Sequence, residues 1–179
     1  MIICIMGVPC VGKTTLVKNL KERHKEIDLY VPIKNIKVEK FETFLLIQHD
    51  HYKNNLWNMH LSTSTSEIKK ILQKEYSNNN ILLEVERPTQ SKNFLYWLID
   101  EYEVKIIHLT ASIDILNERG KKRNMWWDKK RTNRKTIIQT KRMINLLNDS
   151  KIKKYVTTLP NVSETDFKNN LDTLEKFMT

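Results

Sequence analysis

The residues best suited to chemistry lie near the amino terminus, in the segment Gly7-Val8-Pro9-Cys10-Val11-Gly12-Lys13-Thr14. Gly7 and Gly12 permit backbone angles that other residues avoid, so successive N–H groups can turn inward around phosphate oxygens. The ammonium of Lys13 suits the β- and γ-phosphates of a nucleotide, and the hydroxyl of Thr14 is a ligand for Mg²⁺. The segment therefore predicts a loop, extending to Thr15, that binds the phosphates of a nucleoside triphosphate.

The flanking residues predict the elements that such a loop needs. An apolar run at residues 2–5 predicts a buried strand before the loop, and Leu16, Val17 and Leu20 give the following segment an apolar helical face. The amino-terminal end of that helix would add the positive end of its dipole to the phosphate site. The chain has only three glycines, and two of them occupy the positions that the loop requires. This context favours a phosphate loop over a chance match.

Apolar runs alternate with helical patterns along the rest of the chain. Further strands are predicted near residues 44–47, 81–86, 104–109 and 156–159. The first helix is expected from residue 15 to about residue 26, and residues 27–38 give a mixed pattern that Pro32 interrupts. The alternation predicts one α/β domain over residues 1–179. It would have a central parallel sheet of about five strands, helices on both faces, and ligand sites at the carboxyl ends of the strands.

Acidic side chains follow two of these predicted strands. Asp50, flanked by two histidines, could accept a proton from an attacking hydroxyl or hold Mg²⁺ through water. Glu86 stands where an acid would contact water bound to Mg²⁺, and Glu84 and Arg87 are candidates for substrate contacts. Glu84 could be half-buried and bond to a loop or to Lys13. Two alternatives stay open: Asp50 as a carboxylate that caps a turn, and the Glu84–Arg87 group as an internal salt bridge.

A strongly basic segment occupies residues 119–142, with eleven lysines and arginines and one acid. Arg119 and Arg123 are one helical turn apart and could neutralise charge during phosphoryl transfer, so we expect a lid at about residues 119–135. The substrate-binding candidates in this segment are Trp126, Trp127, Arg131 and Arg134. Tryptophans among cations suit stacking on unpaired bases. The alternative is a solvated basic helix whose tryptophans pack on the core.

The composition bears on partners and on compartment. A formal net charge of +10 favours an acidic partner such as nucleic acid, although an AT-rich genome also produces lysine-rich proteins. Cys4 and Cys10 are expected to be reduced thiols in a cytoplasmic protein, in the host cytoplasm for a viral one. No apolar run is long enough for a membrane span. A capped amphipathic helix at residues 163–178 predicts core packing first and a dimer contact second, so monomer and homodimer both stay open.

The glycine-rich loop, the strand-end Glu86-Arg87-Pro88 and the Arg119/Arg123 spacing together resemble the P-loop nucleoside and nucleotide kinase superfamily. Within it, the order of these pieces most resembles the phage P-loop kinases that phosphorylate 5-hydroxymethyluracil in DNA. The E-G-D-R of that family corresponds to residues 84–87, with valine in place of glycine. The aspartate of its G-T-D-R-L-S segment would fall near Asn58. Either Asp50 therefore supplies the acid, or the substrate differs.

The resemblance implies a three-layer P-loop kinase fold and an ATP-dependent phosphotransferase that uses Mg²⁺. The implied catalytic residues are Lys13, Asp50, Glu86, Arg119 and Arg123, and the implied metal residues are Thr14 and Glu86. The first prediction is γ-phosphate transfer to a hydroxyl of a nucleic-acid substrate, a 5-hydroxymethyl-pyrimidine in phage DNA. The alternatives are a kinase of free deoxynucleosides or nucleoside monophosphates, and a nucleic-acid-binding P-loop ATPase or module.

Overall fold

A computed structural model of the chain describes residues 1–33, 36–49, 61–85, 89–122 and 129–178. Seven strands form one sheet: β1 (Ile2–Met6), β2 (Glu26–Ile33), β3 (Ile36–Phe41), β4 (Phe44–His49), β5 (Asn80–Glu84), β6 (Val104–Thr110) and β7 (Val156–Pro160). The helices of the described residues are α1 (Lys13–Glu22), α2 (Leu61–Glu75), α3 (Lys92–Glu101), α4 (Ile113–Lys122), α5 (Lys129–Leu147) and α6 (Glu164–Met178). Short 3₁₀ turns at Tyr76–Asn78 and Lys153–Tyr155 precede β5 and β7.

The strands follow the order β2-β3-β4-β5-β1-β6-β7 across the sheet. Five of them, from β4 to β7 in that order, run parallel, which confirms the predicted parallel sheet of about five strands. In the central strand, Cys4 lies between Leu83 of β5 and Ile106 of β6. Every residue of β1 is buried. This accounts for its unbroken apolar run, since a strand covered on both faces needs apolar side chains on both.

The chain between α1 and β4 forms a hairpin that the sequence patterns did not predict. β2 pairs antiparallel with β3, and β3 pairs antiparallel with β4, so the complete sheet is mixed. Helix α1 accordingly ends at Glu22, earlier than expected. The strand signal of β2 is weak because β2 lies at the sheet edge, where Ile27, Leu29 and Val31 remain 58%, 44% and 57% exposed. Pro32 is tolerated there because an edge strand leaves one row of N–H groups unpaired.

Helices cover both faces of the sheet. Helices α2, α3 and α5 pack over the face of β1 that carries Ile2, Cys4 and Met6. Helices α1, α4 and α6 pack over the opposite face, which carries Ile3 and Ile5. The two apolar clusters therefore lie on opposite faces of the sheet, and this arrangement confirms the predicted three-layer α/β architecture.

The last helix begins at the capping box that its sequence predicts. The hydroxyl of Ser163 accepts a hydrogen bond from the N–H of Asp166, and a carboxylate oxygen of Asp166 accepts one from the N–H of Ser163, both at 3.0 Å. The backbone N–H groups of Ser163 and Val162, which both donate to the Asp166 carboxylate, lower the pKa of Asp166. Leu171 and Leu174 of α6 are buried in the core, as the amphipathic pattern predicts. The box fixes the turn between β7 and α6, which approaches the glycine-rich loop.

Both cysteines lie in the described part of the chain, where they are buried and are not joined by a disulfide. Burial raises the pKa of Cys4 to about 12, so this thiol stays protonated at neutral pH. Among the helices that the structure describes, none combines the length and the apolar character needed to span a bilayer.

A buried carboxylate ties the hairpin to α1 and β4. Glu39 of β3 is fully buried and accepts hydrogen bonds from Lys21 Nζ (2.5 Å), Lys37 Nζ (2.8 Å) and Gln48 Nε2 (2.5 Å). The two ammonium groups compensate the carboxylate charge while the lysine side chains stay about a quarter exposed, at 26% and 28%. Removing that compensation would leave a charge inside the protein, which costs far more than the pair itself contributes.

Replacing Lys21 and Lys37 together by Met should lower the free energy of unfolding by roughly 3 kcal/mol or more, because Glu39 would then be buried without a counter-charge. Adding Glu39→Gln to this double variant should recover most of the loss, since an amide needs no counter-charge. Urea unfolding followed by circular dichroism measures both effects. A double variant as stable as the wild type would contradict this account of the hairpin.

Candidate phosphate-binding site

The glycine-rich segment forms a tight loop between β1 and α1. Gly7 and Gly12 have φ angles of 150° and 104°, and Cys10 between them also has a positive φ, of 65°. A Cβ atom on Gly7 would lie 2.8 Å from the carbonyl oxygen of Leu109, and one on Gly12 would lie 2.4 Å from Nδ2 of Asn161. Both positions therefore require glycine, for the backbone angle and for the close neighbours.

The loop leads directly into the amino-terminal end of α1. Gly12 is the N-cap residue and supplies no side-chain hydrogen bond, and the first turn carries no acidic residue. The N–H groups of that turn have no partner within the helix, so they are suited to an anion. The positive end of the helix dipole acts in the same direction. The local geometry is that of a phosphate-binding loop.

Lys13 lies across the loop that precedes it. Its ammonium donates hydrogen bonds to the carbonyl oxygens of Gly7 (2.7 Å) and Val8 (3.3 Å). The same charge acts on His108 of β6, whose pKa is lowered by burial and by the proximity of Lys13. The sequence patterns did not single out His108. The sequence gives one hint of its importance: His108 is a titratable residue near the end of a predicted strand that is otherwise apolar there.

Thr14 contacts an acid from the neighbouring strand. Its hydroxyl donates a 2.7 Å hydrogen bond to Oε1 of Glu84, the last residue of β5, which is only 3% exposed. The two meet because β1 and β5 are adjacent and parallel and so end at the same edge of the sheet. Hydroxyl and carboxylate oxygens are the donors that Mg²⁺ prefers. This contact agrees with the expectation that Glu84 bonds to a loop, and its predicted role in substrate binding stays a prediction.

Several predicted site residues lie outside the described part of the chain. These are Asp50, Glu86, Arg87, Arg123, Trp126 and Trp127. Arg131 and Arg134 lie in the part of α5, residues 129–135, for which the structure describes the backbone alone. The predicted lid at 119–135 is described only as the end of α4 and the beginning of α5. The structure therefore brings together Lys13, Thr14 and Glu84, and the roles of the other residues stay predictions.

Arg119 reaches the loop from α4. Its Nη1 donates to the carbonyl oxygen of Val11 at 3.3 Å, and its Nη2 donates to that of Val162 at 3.4 Å. The predicted proximity to the phosphate loop is therefore present. The observed partners are backbone carbonyls of the loop and of the β7–α6 turn, and a role in catalysis stays a prediction.

Two asparagines behind the loop had no signal in the sequence. Nδ2 of Asn161 donates a 2.6 Å hydrogen bond to the carbonyl oxygen of Val11. Nδ2 of Asn170 donates to the carbonyl oxygen of Pro160 (2.7 Å) and to Oδ1 of Asn161 (3.4 Å). Both side chains are 3% exposed. Asn161 lies between a strand and a helix, where asparagine is an ordinary turn residue, and Asn170 lies within α6, so the pattern gave no reason to choose either.

A cleft of about 310 Å³ opens between the beginning of the loop and α5. It is lined by Val8, Pro9, Gln90, Gln139, Arg142, Met143 and Leu146. Four of these side chains are apolar and three carry hydrogen-bonding groups, a mixture typical of small-molecule sites. Arg142 closes the basic segment noted in the sequence, but it was not among the predicted site residues.

A family model described as "AAA domain" matches residues 3–139. No curated protein matches the sequence. An uncharacterized protein from Eubacterium ventriosum ATCC 27560 has a similar structure, with 16% identity, coverage of 99% of this chain and 97% of that chain, and a TM-score of 0.56. Deoxyadenosine kinase from M. mycoides with bound dATP is similar at 12% identity, with 99% and 98% coverage and a TM-score of 0.54. At these identities the likeness shows a shared fold.

Proposed function

The chain belongs to the AAA domain family, and from this premise we propose that it is an ATP-dependent kinase. The observation that carries the proposal is the meeting of Lys13, Thr14 and Glu84 at a glycine-rich loop that opens a helix. One protein of the same fold is named a deoxyadenosine kinase, which supports phosphoryl transfer to a nucleoside-type acceptor. We place donor and acceptor within one domain, residues 1–179.

The loop would hold the triphosphate of ATP. Backbone N–H groups of the loop and of the first turn of α1 would face the phosphate oxygens, and the dipole of α1 favours their negative charge. Pro9 has no N–H to contribute, and the N–H of Val11 donates to the carbonyl oxygen of Val8 at 3.4 Å. Lys13 now shares its protons with the carbonyl oxygens of Gly7 and Val8. A bound phosphate is a stronger acceptor than either carbonyl, so the ammonium would turn to the β- and γ-phosphates. Lys13 thereby stabilises the charge of the group in transfer.

Thr14 and Glu84 fit the Mg²⁺ that ATP brings. Their oxygens are hard donors, and the Thr14 hydroxyl keeps its lone pairs for a cation while it donates its hydrogen bond to Glu84. Bound there, Mg²⁺ would neutralise phosphate charge. The buried carboxylate of Glu84 orients the threonine hydroxyl. The acid that accepts the proton of the acceptor hydroxyl is Asp50 or Glu86, as the sequence predicts.

The acceptor would occupy the cleft beside Val8 and Pro9. Its volume of about 310 Å³ is at the lower end of ligand sites and suits a single nucleoside or nucleoside monophosphate. The amides of Gln90 and Gln139 can pair with the edge of a base, and the guanidinium of Arg142 can bind a phosphate. Because the lining apolar side chains exclude water, the phosphoryl group would pass to the acceptor instead of being hydrolysed.

A second candidate, favoured by charge, is a kinase that acts on nucleic acid. The net charge is +10, Lys141 and Arg142 are exposed on α5, and Arg142 lines the cleft. A polymer could lie along this basic helix while one nucleotide enters the cleft. The finer form of this candidate is transfer to a 5-hydroxymethyl-pyrimidine in phage DNA. A third, a P-loop ATPase or binding module without an acceptor, predicts no transfer at all.

Incubation with γ-labelled ATP should transfer label to an acceptor hydroxyl. Free deoxynucleosides, nucleoside monophosphates, plain DNA and hydroxymethylated DNA are the acceptors to compare. Lys13→Ala should lower the rate about a hundredfold or more, because it removes a preorganised charge from the transferring group.

The matched control for this experiment is Lys18→Ala, an exposed lysine on the same helix, which should keep wild-type turnover. Label released only as inorganic phosphate, with every acceptor, would contradict the kinase. A Lys13→Ala variant with the wild-type rate would contradict the proposed site.

Replacing Glu84 by Gln should raise the Mg²⁺ concentration needed for half-maximal turnover by about tenfold or more, because such orienting partners tune metal affinity on this scale. The amide still accepts the hydrogen bond of Thr14, so melting temperature should change little. Titration of turnover with Mg²⁺ measures the effect. Glu67→Gln on α2 serves as control, and an unchanged Mg²⁺ requirement in Glu84→Gln would remove Glu84 from the metal site.

The dependence of turnover on salt concentration distinguishes a DNA substrate from a free nucleoside. Turnover on DNA should fall at least tenfold between 50 and 200 mM salt, because binding releases counterions from the polymer. Replacing Lys141 and Arg142 together by Ala should reduce the slope of log affinity against log salt by about 2. Turnover on free deoxynucleosides should change little with salt. A DNA reaction that is indifferent to salt, or absent, would exclude the nucleic-acid kinase.

A further inference from the structure

The carbonyl oxygen of Val11 is held from behind by the turn between β7 and α6. Asn161 donates to it at 2.6 Å from Nδ2, and the donor is 3% exposed. Arg119 donates to the same oxygen at 3.3 Å. A loop carbonyl with two donors, one of them buried, is fixed in direction more firmly than the short segment could achieve alone.

Fixing that carbonyl also fixes the N–H of Gly12. The Val11–Gly12 peptide is planar and trans, so its carbonyl and its N–H point in opposite directions. With the carbonyl turned to Asn161, the Gly12 N–H is turned away from Asn161. Gly12 is the N-cap residue of α1 and precedes Lys13. Its N–H is therefore directed at the phosphate side of the loop.

The amide of Asn161 is itself held in one orientation. Asn170 donates to Oδ1 of Asn161 at 3.4 Å and to the carbonyl oxygen of Pro160 at 2.7 Å, so Nδ2 of Asn161 is left for Val11. The backbone N–H of Asn161 donates to the carbonyl oxygen of Thr110 at 2.8 Å. The donor is thus anchored to β6, β7 and α6 before it touches the loop.

We propose that Asn161 is a positioning residue for the phosphate loop: it aims the Gly12 N–H at the nucleotide phosphates by holding the Val11 carbonyl on the opposite side. The inference rests on the proposed function for the identity of the ligand. It goes beyond the family, because the family match ends at residue 139. It also explains why residue 12 must be glycine for a reason besides its backbone angle, since a Cβ there would lie 2.4 Å from Asn161 Nδ2.

The test uses Asn161→Asp, which keeps the shape of the side chain but places an oxygen against the Val11 carbonyl. Tripolyphosphate and ATP should bind about tenfold more weakly, which is the scale of one hydrogen bond lost and one repulsion gained. Asn161→Ala should give a smaller loss in the same direction, since Arg119 still contacts Val11. Asn169→Ala, the exposed neighbour of Asn170 on α6, is the matched control and should bind as the wild type does.

Glycine-selective ¹⁵N labelling reads the loop without any nucleotide. The chain contains three glycines, at positions 7, 12 and 120, so the spectrum has three assignable amide resonances. Asn161→Asp should shift the Gly12 resonance, and Asn169→Ala should leave all three in place. A variant that only destabilised the fold would lower the melting temperature without a specific shift of the Gly12 resonance.

Two results would overturn the inference: a Gly12 resonance at its wild-type position in both Asn161 variants, or tripolyphosphate affinity within twofold of wild type in both. Where Asn161→Asp does not fold, Asn161→Ala and Asn170→Ala decide on the same readouts, because each weakens the contact without introducing a charge. Wild-type protein that binds neither ATP nor tripolyphosphate would instead overturn the proposed function, and the Gly12 resonance would then decide the positioning role alone.

Discussion

The site depends on one constraint: the carboxyl ends of three adjacent parallel strands meet at the same edge of the sheet. The loop after β1 therefore lies against the ends of β5 and β6. This alignment sets Thr14 2.7 Å from Glu84, and it brings the backbone of Leu109 so close to Gly7 that no Cβ would fit between them. Residues far apart in the chain become neighbours because the strands share direction and register, and not because of any local motif.

Electrostatics then explain how the loop is stable before it binds a ligand. The N–H groups of the first turn of α1 and the positive end of its dipole concentrate positive potential at the loop, and the loop carbonyls need donors of their own. Cationic or amide donors satisfy these carbonyls: Lys13 at Gly7 and Val8, and Arg119 with Asn161 at Val11. Lys13 can exchange its carbonyls for phosphate oxygens, whereas Asn161 is anchored. The loop thus combines one adaptable donor with one fixed donor.

The phosphate loop could be predicted from sequence because its requirements are local. Gly7 and Gly12 are needed at fixed spacing, and the parallel core followed from continuous apolar runs. The β2–β3 hairpin could not be predicted, because Ile27 and its alternate neighbours face solvent at a sheet edge and carry no core periodicity. The sequence patterns did not pair Thr14 with Glu84, because that contact depends on where β5 ends, and an i, i+2 pattern leaves that end undetermined. The metal role of Glu86 stays a prediction.

Asparagines such as Asn161 were beyond prediction for a different reason: their role exists only once β7 and the first loop are neighbours in space. The same holds for the cleft, where Arg142, Met143 and Leu146 lie beyond residue 139. The matched region supplies the phosphate loop, Glu84 and Arg119, on which the proposed phosphate chemistry rests. The carboxyl-terminal forty residues supply one wall of the cleft and the rear support of the loop. If the cleft holds the acceptor as proposed, change in that part of the chain would alter acceptor choice and phosphate affinity while the motif itself stays intact.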